Sequence, residues 1–320
     1  MVNKLSTKSQ QYIFDRSYLG IYELTGKDSL DLLNRLSSNK VDDLNINHGN
    51  STILTNNKGR VIDVITLFQL GSKTLMFTSK NNSQEVTDWI ETYTFIEDIS
   101  LVNINSEFNL ITLIGDNWTE HLLQKPTIDK FTCESLQIDR CSCLIMRTDP
   151  TGHIGYDLLV PANKKEDIIN SLSKVKPNIE ILNDYQYDYI RINEGIPRLD
   201  KEINDNFNPW EINLNYLINM NKGCYIGQEV ILRLNTYEKV QKFLKKLSIK
   251  LEDHKHNTKI KFADNDIGII TSVDNTNKIA LGVINKKYCE IGKRYQLVDQ
   301  NSESIGTAEI LETELPNSIA

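Results

Sequence analysis

The sequence has little of what several large protein classes require. No apolar run approaches the roughly 20 residues of a membrane-spanning helix. Its five cysteines (Cys133, Cys141, Cys143, Cys224 and Cys289) are odd in number and never fall in C-x-x-C spacing. That pattern argues for a reduced compartment rather than a disulfide framework. The five histidines are scattered, with only His254 and His256 close together. No convergent ligand set for a metal is visible, and an iron–sulfur cluster of its own, usually held by about four thiolates, is not expected. A basic excess is missing too: 36 Lys and Arg stand against 43 Asp and Glu, for a net charge of −7. This excludes broad nucleic-acid backbone binding, which needs a large positive surface, but leaves room for a local basic pocket. The opening Met-Val-Asn-Lys-Leu-Ser-Thr-Lys lacks both an apolar signal core and an arginine-rich character. The reading is a soluble cytoplasmic protein without a membrane or nucleic-acid partner.

What is present is an ordinary globular balance, 39% hydrophobic and 25% charged over 320 residues. That length exceeds what one core usually serves, so two or three domains are expected. Leu30, Leu33 and Leu36 predict a helix over 28–38 with Asp28 as its cap. Strands are expected over 51–55 and 61–70, around a turn at Asn56-Asn57-Lys58-Gly59 where Gly59 takes a positive φ. Further strands are read at 75–78, 99–104, 110–114 and 143–147, and helices over 84–93, 164–174 and 184–193. Residues 152–161 form a turn feeding a strand that Pro161 ends. Residues 195–224, rich in Asn, Pro and Gly, read as a long irregular connection, and such segments are often functional. A short helix follows over 228–234. From about residue 242 short alternating runs separated by turn residues predict a small all-β barrel or sandwich. The domain boundary is placed near residue 240, giving units of 1–240 and 241–320.

The most informative run is Lys222-Gly223-Cys224-Tyr225-Ile226-Gly227-Gln228-Glu229. Its two glycines permit a tight backbone and close approach of a ligand. Cys224 falls just before a helix start and beside Lys222, two features that favour a thiolate. The alternative is a small loop cysteine packed for shape. The run resembles the K-G-C-Y-x-G-Q-E signature of the YgfZ branch of the YgfZ/GcvT-type family of folate-binding proteins. Arg191-Ile192-Asn193-Glu194-Gly195-Ile196-Pro197 resembles the family's R-x-x-x-G-x-P segment. Asn208-Pro209-Trp210-Glu211 with Leu214 loosely resembles its P-x-E-x-N-L segment. Gly59-Arg60-Val61 is similar to its N-x-x-G-R turn, and residues 26–44 to its opening helix. The likeness covers most of the chain and is most diagnostic over 190–233.

The resemblance implies an α+β fold: ferredoxin-like N-terminal folate-binding modules plus a small C-terminal β-barrel. It implies tetrahydrofolate, or a one-carbon derivative, as cofactor. Matching positions make Arg191 and Asp157, with Tyr156 beside it, candidates to hold the pterin. A carboxylate suits paired N–H donors, and a guanidinium suits a carbonyl and ring nitrogen. The alternatives are a surface ion pair for Arg191 and a solvated strand-start acid for Asp157. Lys222, Arg233 and Lys239 are candidates for folate's anionic tail. The aminomethyltransferase relatives carry G-G-I-x-D-D after the turn, where this chain reads Gly59-Arg60-Val61-Ile62-Asp63-Val64. Asp63 is then the surviving acid, pointing inward or onto the solvent face of a strand. Two functions follow. One is a tetrahydrofolate-binding accessory factor that supports iron–sulfur enzymes and their assembly partners, with Cys224 as its working residue. The alternative is a folate-dependent aminomethyltransferase or methyltransferase.

Overall fold

The protein is described as a computed structural model that covers residues 11–175, 179–236, 239–251 and 258–311. In chain order the first half contains β1 (Tyr12–Asp15), β2 (Gly20–Thr25), α1 (Ser29–Leu36), β3 (Gly49–Thr55), β4 (Val61–Gln69), β5 (Thr74–Thr78), α2 (Ser83–Thr92), β6 (Ser100–Asn103) and β7 (Phe108–Ile114). Then come α3 (Trp118–Leu123), β8 (Cys133–Ile138), β9 (Cys141–Arg147), β10 (Gly155–Pro161), α4 (Lys165–Val175), β11 (Glu180–Ile181), α5 (Asp184–Asn193) and α6 (Gln228–Thr236). The last part is all strand: β12 (Lys242–Leu251), β13 (Lys259–Phe262), β14 (Asn265–Asp274), β15 (Ile279–Asn285), β16 (Arg294–Val298) and β17 (Ser304–Ile310).

These elements make three sheets. A five-stranded sheet has the order β3-β4-β5-β2-β6, and a six-stranded one the order β11-β1-β7-β10-β9-β8. The third is a closed barrel, β12-β15-β14-β13-β16-β17. The expected α+β class with a C-terminal barrel is what the chain adopts, and the barrel starts at Lys242. Pairing is antiparallel throughout except β1 with β11. The two N-terminal modules are interleaved: β1, the first strand of the chain, lies inside the six-stranded sheet between β11 and β7. The short run 12–15 offered no period by which to see this, because four residues cannot distinguish helix from strand.

Each of the two open sheets buries one face under helices, and the barrel packs its own interior. Leu32, Leu33 and Leu36 of α1 recur at helical spacing and join Val86 and Ile90 of α2 over Leu54, Ile65 and Leu67. Asp28 does not cap α1 with its side chain; its Oδ2 accepts instead from the backbone N–H of Asp98 at 2.8 Å. Trp118 of α3 and Ile168 and Leu172 of α4 cover Ile111, Ile145 and Leu158 of the six-stranded sheet. The inner faces meet through Ile21, Phe68 and Phe77 on one side and Leu110, Met146 and Leu159 on the other. A further core of Ile203, Phe207, Ile212 and Leu214 ties Ile53 and Val61 to Leu244, Leu281 and Val283 of the barrel. The irregular stretch after α5 is therefore the mortar between sheet and barrel. Its only regular element among the described residues is a 3-10 turn at Asn215–Leu217.

The turn at residues 56–59 forms as expected. Asn56 Oδ1 accepts from the N–H groups of Lys58 (2.9 Å) and Arg60 (3.1 Å), and Gly59 takes φ +67°. The helix read over 184–193 is capped by a reciprocal Asn183–Gln186 box.

Candidate functional site

A cavity of about 670 Å³ opens where the two sheets, α5 and the irregular stretch converge. Arg16 and Tyr18 reach it from the β1–β2 connection, Val64 and Thr66 from β4, and Lys80 from the end of β5. Asp157 comes from the middle of β10, Tyr187 and Arg191 from α5, and Tyr216 from the irregular stretch. No single segment builds this wall, so no local motif could announce it.

Strand alternation decides the fate of two predicted residues. Tyr156, Leu158 and Val160 face the helix-covered core, so Asp157 and Leu159 face the other way. Tyr156 is 1% exposed, packs in that core and is not among the residues lining the cavity. Asp157 does reach the cavity wall, buried at 6% exposure. Its Oδ1 accepts from Thr112 Oγ1 at 2.5 Å and Arg16 at 3.2 Å, its Oδ2 from Thr148 Oγ1 at 2.7 Å and Arg16 at 3.3 Å. Arg16 was not foreseen: it stands alone in a short strand-to-strand connection. Burial works against its charge, but Tyr187 and Asp157 outweigh that and hold its pKa above the usual value. Burial also pushes the Tyr18 hydroxyl up to about 12.

Arg191 borders the cavity but turns its guanidinium into the protein. It donates to Asp188, to Ile196 O at 3.2 Å, to Glu202 at 3.1 Å and to Ser272 Oγ at 2.7 Å. Glu202 is fully buried and accepts also from Ser272, at 2.6 Å. Ser272 lies on β14 where the strand register shifts, a bulge that re-aims a side chain. Arg191 thus clasps α5 to the irregular stretch and the barrel. It is neither a surface pair nor a free guanidinium.

Asp63 is buried at 0% exposure on β4, so it does not lie on a solvent face. It accepts from Ser79 N at 3.0 Å, Ser79 Oγ at 2.5 Å and Val64 N at 2.8 Å. Burial raises its pKa against the lowering effect of these bonds. It sits one layer behind the cavity, touching it through Ser79, while its neighbour Val64 lines the cavity together with Thr66.

The Lys222–Glu229 run has a clear mechanical role. Lys222 Nζ donates to the carbonyls of Asn34, Ser37 and Asn39, at 2.6, 2.7 and 2.7 Å. It thereby caps the C-terminal end of α1, where a cation is favoured by the helix dipole. It is 8% exposed, and burial pushes it down to about 8. Lys222 is not among the residues lining the cavity, and its ammonium is held by these three carbonyls. Gly227, at φ +81°, brings its own chain close: an added Cβ would stand 2.4 Å from Asn56 O. Cys224 is exposed, and it is not among the residues lining the cavity. Arg233 on α6 and Lys239 are exposed and also outside the cavity wall. The cations that do line it are Arg16, Lys80, Lys130, Arg191 and Arg198.

Among the described residues no helix is long and apolar enough to cross a membrane, and no group of three or more His, Cys, Asp or Glu is placed to hold a metal ion.

An aminomethyltransferase of Desulfitobacterium hafniense is 25% identical over 306 residues, spanning 92% of this chain and 84% of its own. One of Caldanaerobacter subterraneus is 23% identical over 309 residues, spanning 90% and 81%. The crystal structure of glycine cleavage system aminomethyltransferase T from Bartonella henselae superposes with a TM-score of 0.80 at 16% identity, covering 95% of this chain and 86% of that one. At that identity the superposition shows a shared fold. The model of the GCVT N-terminal domain matches residues 3–222, and the chain belongs to that family.

Proposed function

We propose that the cavity binds tetrahydrofolate or a one-carbon derivative, and that the protein is a folate-dependent one-carbon transferase of the aminomethyltransferase type. In this reading residues 1–240 form the folate-binding region and 241–320 the barrel that braces it. The observation that carries the reading is the cavity itself. About 670 Å³ falls within the range of small-molecule sites, and it lies at the meeting point of the modules. Tyr18, Tyr187 and Tyr216 put aromatic side chains in its wall, suited to a planar heterocycle, and Arg16 and Asp157 add polar groups. Lys80 and Lys130 supply positive charge for an anionic tail. The similarity to proteins named aminomethyltransferase along 92% of the chain supports the same reading.

When bound, tetrahydrofolate supplies the amine nitrogens that accept a one-carbon unit. The chain's own part is to bind, orient and exclude water. Asp63 would act through Ser79, because its carboxylate is engaged behind the wall.

A second reading rests on one specific observation. Val64 lines the cavity at the position where the transferase motif carries its second acid. With Cys224 exposed, that favours the accessory role in support of iron–sulfur enzymes. Titration calorimetry with tetrahydrofolate tests the shared part: one-site binding is expected, and no heat of binding by the wild type rejects both readings. Replacing the standard aminomethyltransferase in a reconstituted glycine-cleavage assay then separates them. Folate-dependent turnover supports the transferase. Binding without turnover, joined to loss of iron–sulfur enzyme activity on gene deletion, supports the accessory role.

A further inference from the structure

The polar groups of the cavity wall are not equally available to a ligand. A carboxylate offers about four lone-pair sites, and Asp157 has four contacts: Thr112, Thr148 and both approaches of the Arg16 nitrogen. A guanidinium offers about five N–H donors, and Arg191 spends four of them on Asp188, Ile196, Glu202 and Ser272. Arg16 differs. One terminal nitrogen serves Asp157 and the Tyr18 hydroxyl is a second partner, which together leave several of its N–H donors unspent on a side chain that lines the cavity and is 18% exposed. Tyr187 is itself held by a stack on Phe14 with 4.2 Å between ring centroids.

We infer that Arg16 is the residue that reads the ligand's polar edge, and that Asp157 is a positioning residue acting through it. This rests on the folate reading. The consequence is a defined preference. The Arg16–Asp157 pair carries no net charge, so it suits a neutral edge rather than a carboxylate or phosphate. Its free groups are donors only, so the ligand atom they meet must be an acceptor, as a ring carbonyl oxygen is. A ligand edge made of N–H donors would have to displace Thr112 or Thr148 from a buried carboxylate, leaving a hydroxyl without its partner.

The test compares tetrahydrofolate with its 4-amino analogue, in which the ring carbonyl is replaced by an amino group, by calorimetry on the full chain. The wild type is expected to bind the 4-oxo form at least about tenfold more tightly, the effect of one mismatched polar contact. Arg16→Lys keeps the charge opposite Asp157 but removes the planar fork. It is expected to shrink the ratio to within about threefold while the melting temperature holds. If Arg16→Lys does not fold, Asp157→Asn is read in its place. It is expected to weaken the 4-oxo form more than the 4-amino form, and equal weakening overturns the inference. Equal or tighter wild-type binding of the 4-amino form overturns it while leaving the folate reading intact. So does a 4-oxo preference that survives in Arg16→Lys. Failure of both compounds to bind the wild type removes the folate reading and this inference together.

Discussion

Replacing Lys222 by methionine should destabilise the protein far more than a surface lysine change. The side chain keeps its length and apolar stem, so the perturbation is confined to the ammonium. That group donates three bonds, of 2.6, 2.7 and 2.7 Å, to the carbonyls of Asn34, Ser37 and Asn39. Hydrogen bonds to a charged partner contribute about 1.5–3 kcal/mol each. The sum overstates the effect, because burying an ammonium costs several kcal/mol that the variant recovers. A net loss of about 3 kcal/mol follows, which at a urea slope of roughly 3 kcal/mol/M lowers the midpoint by about 1 M. The pH dependence has a definite sign. Burial puts the folded pKa at about 8, against 10.5 for a free lysine. Between those values the unfolded wild type holds more protons than the folded one, so wild-type stability rises with pH. The gap between wild type and Lys222→Met should therefore widen from pH 8 towards pH 10. Urea denaturation followed by circular dichroism at a series of pH values measures both effects. A midpoint within about 0.2 M of wild type would refute the capping argument, and a gap that narrows above pH 8 would refute the burial argument.

The other two expectations are as direct. Arg191→Met leaves Glu202 as an unpaired charge at 0% exposure and should cost about 3–5 kcal/mol, whereas Arg191→Met with Glu202→Gln should recover part of that loss. Urea denaturation of both variants checks it, and a single variant as stable as wild type would return Arg191 to the candidates for direct ligand contact. Iodoacetamide at pH 8 should modify Cys224 ahead of Cys133 and Cys143, because Cys224 is exposed while burial pushes the other two up to about 11. Peptide mapping that finds Cys133 or Cys143 labelled at a comparable rate would contradict the burial on which this rests.

The sequence by itself determined the local elements whose cause is local. The 56–59 turn followed from Asn and Gly chemistry, the helix over 184–193 was legible as a segment, and the barrel followed from short alternating runs after residue 240. It also marked 195–224 as irregular and the run around Cys224 as constrained, since glycine placement and turn residues act within a few positions. What only the tertiary structure decided was where side chains point and what they are spent on. Asp157 and Tyr156 are neighbours, yet strand alternation sends one to the cavity wall and the other into the core behind it. Lys222 and Arg191 look like free cations in the sequence, and each is consumed by partners on other elements: Asn34, Ser37 and Asn39 for Lys222, Glu202 and Ser272 for Arg191. Arg16, with no motif around it, reaches the cavity because β1 is drawn into a sheet whose other strands come 90 or more residues later. Hydrogen-bond saturation of a buried charge depends on partners distant in sequence, and only the folded chain brings those partners together.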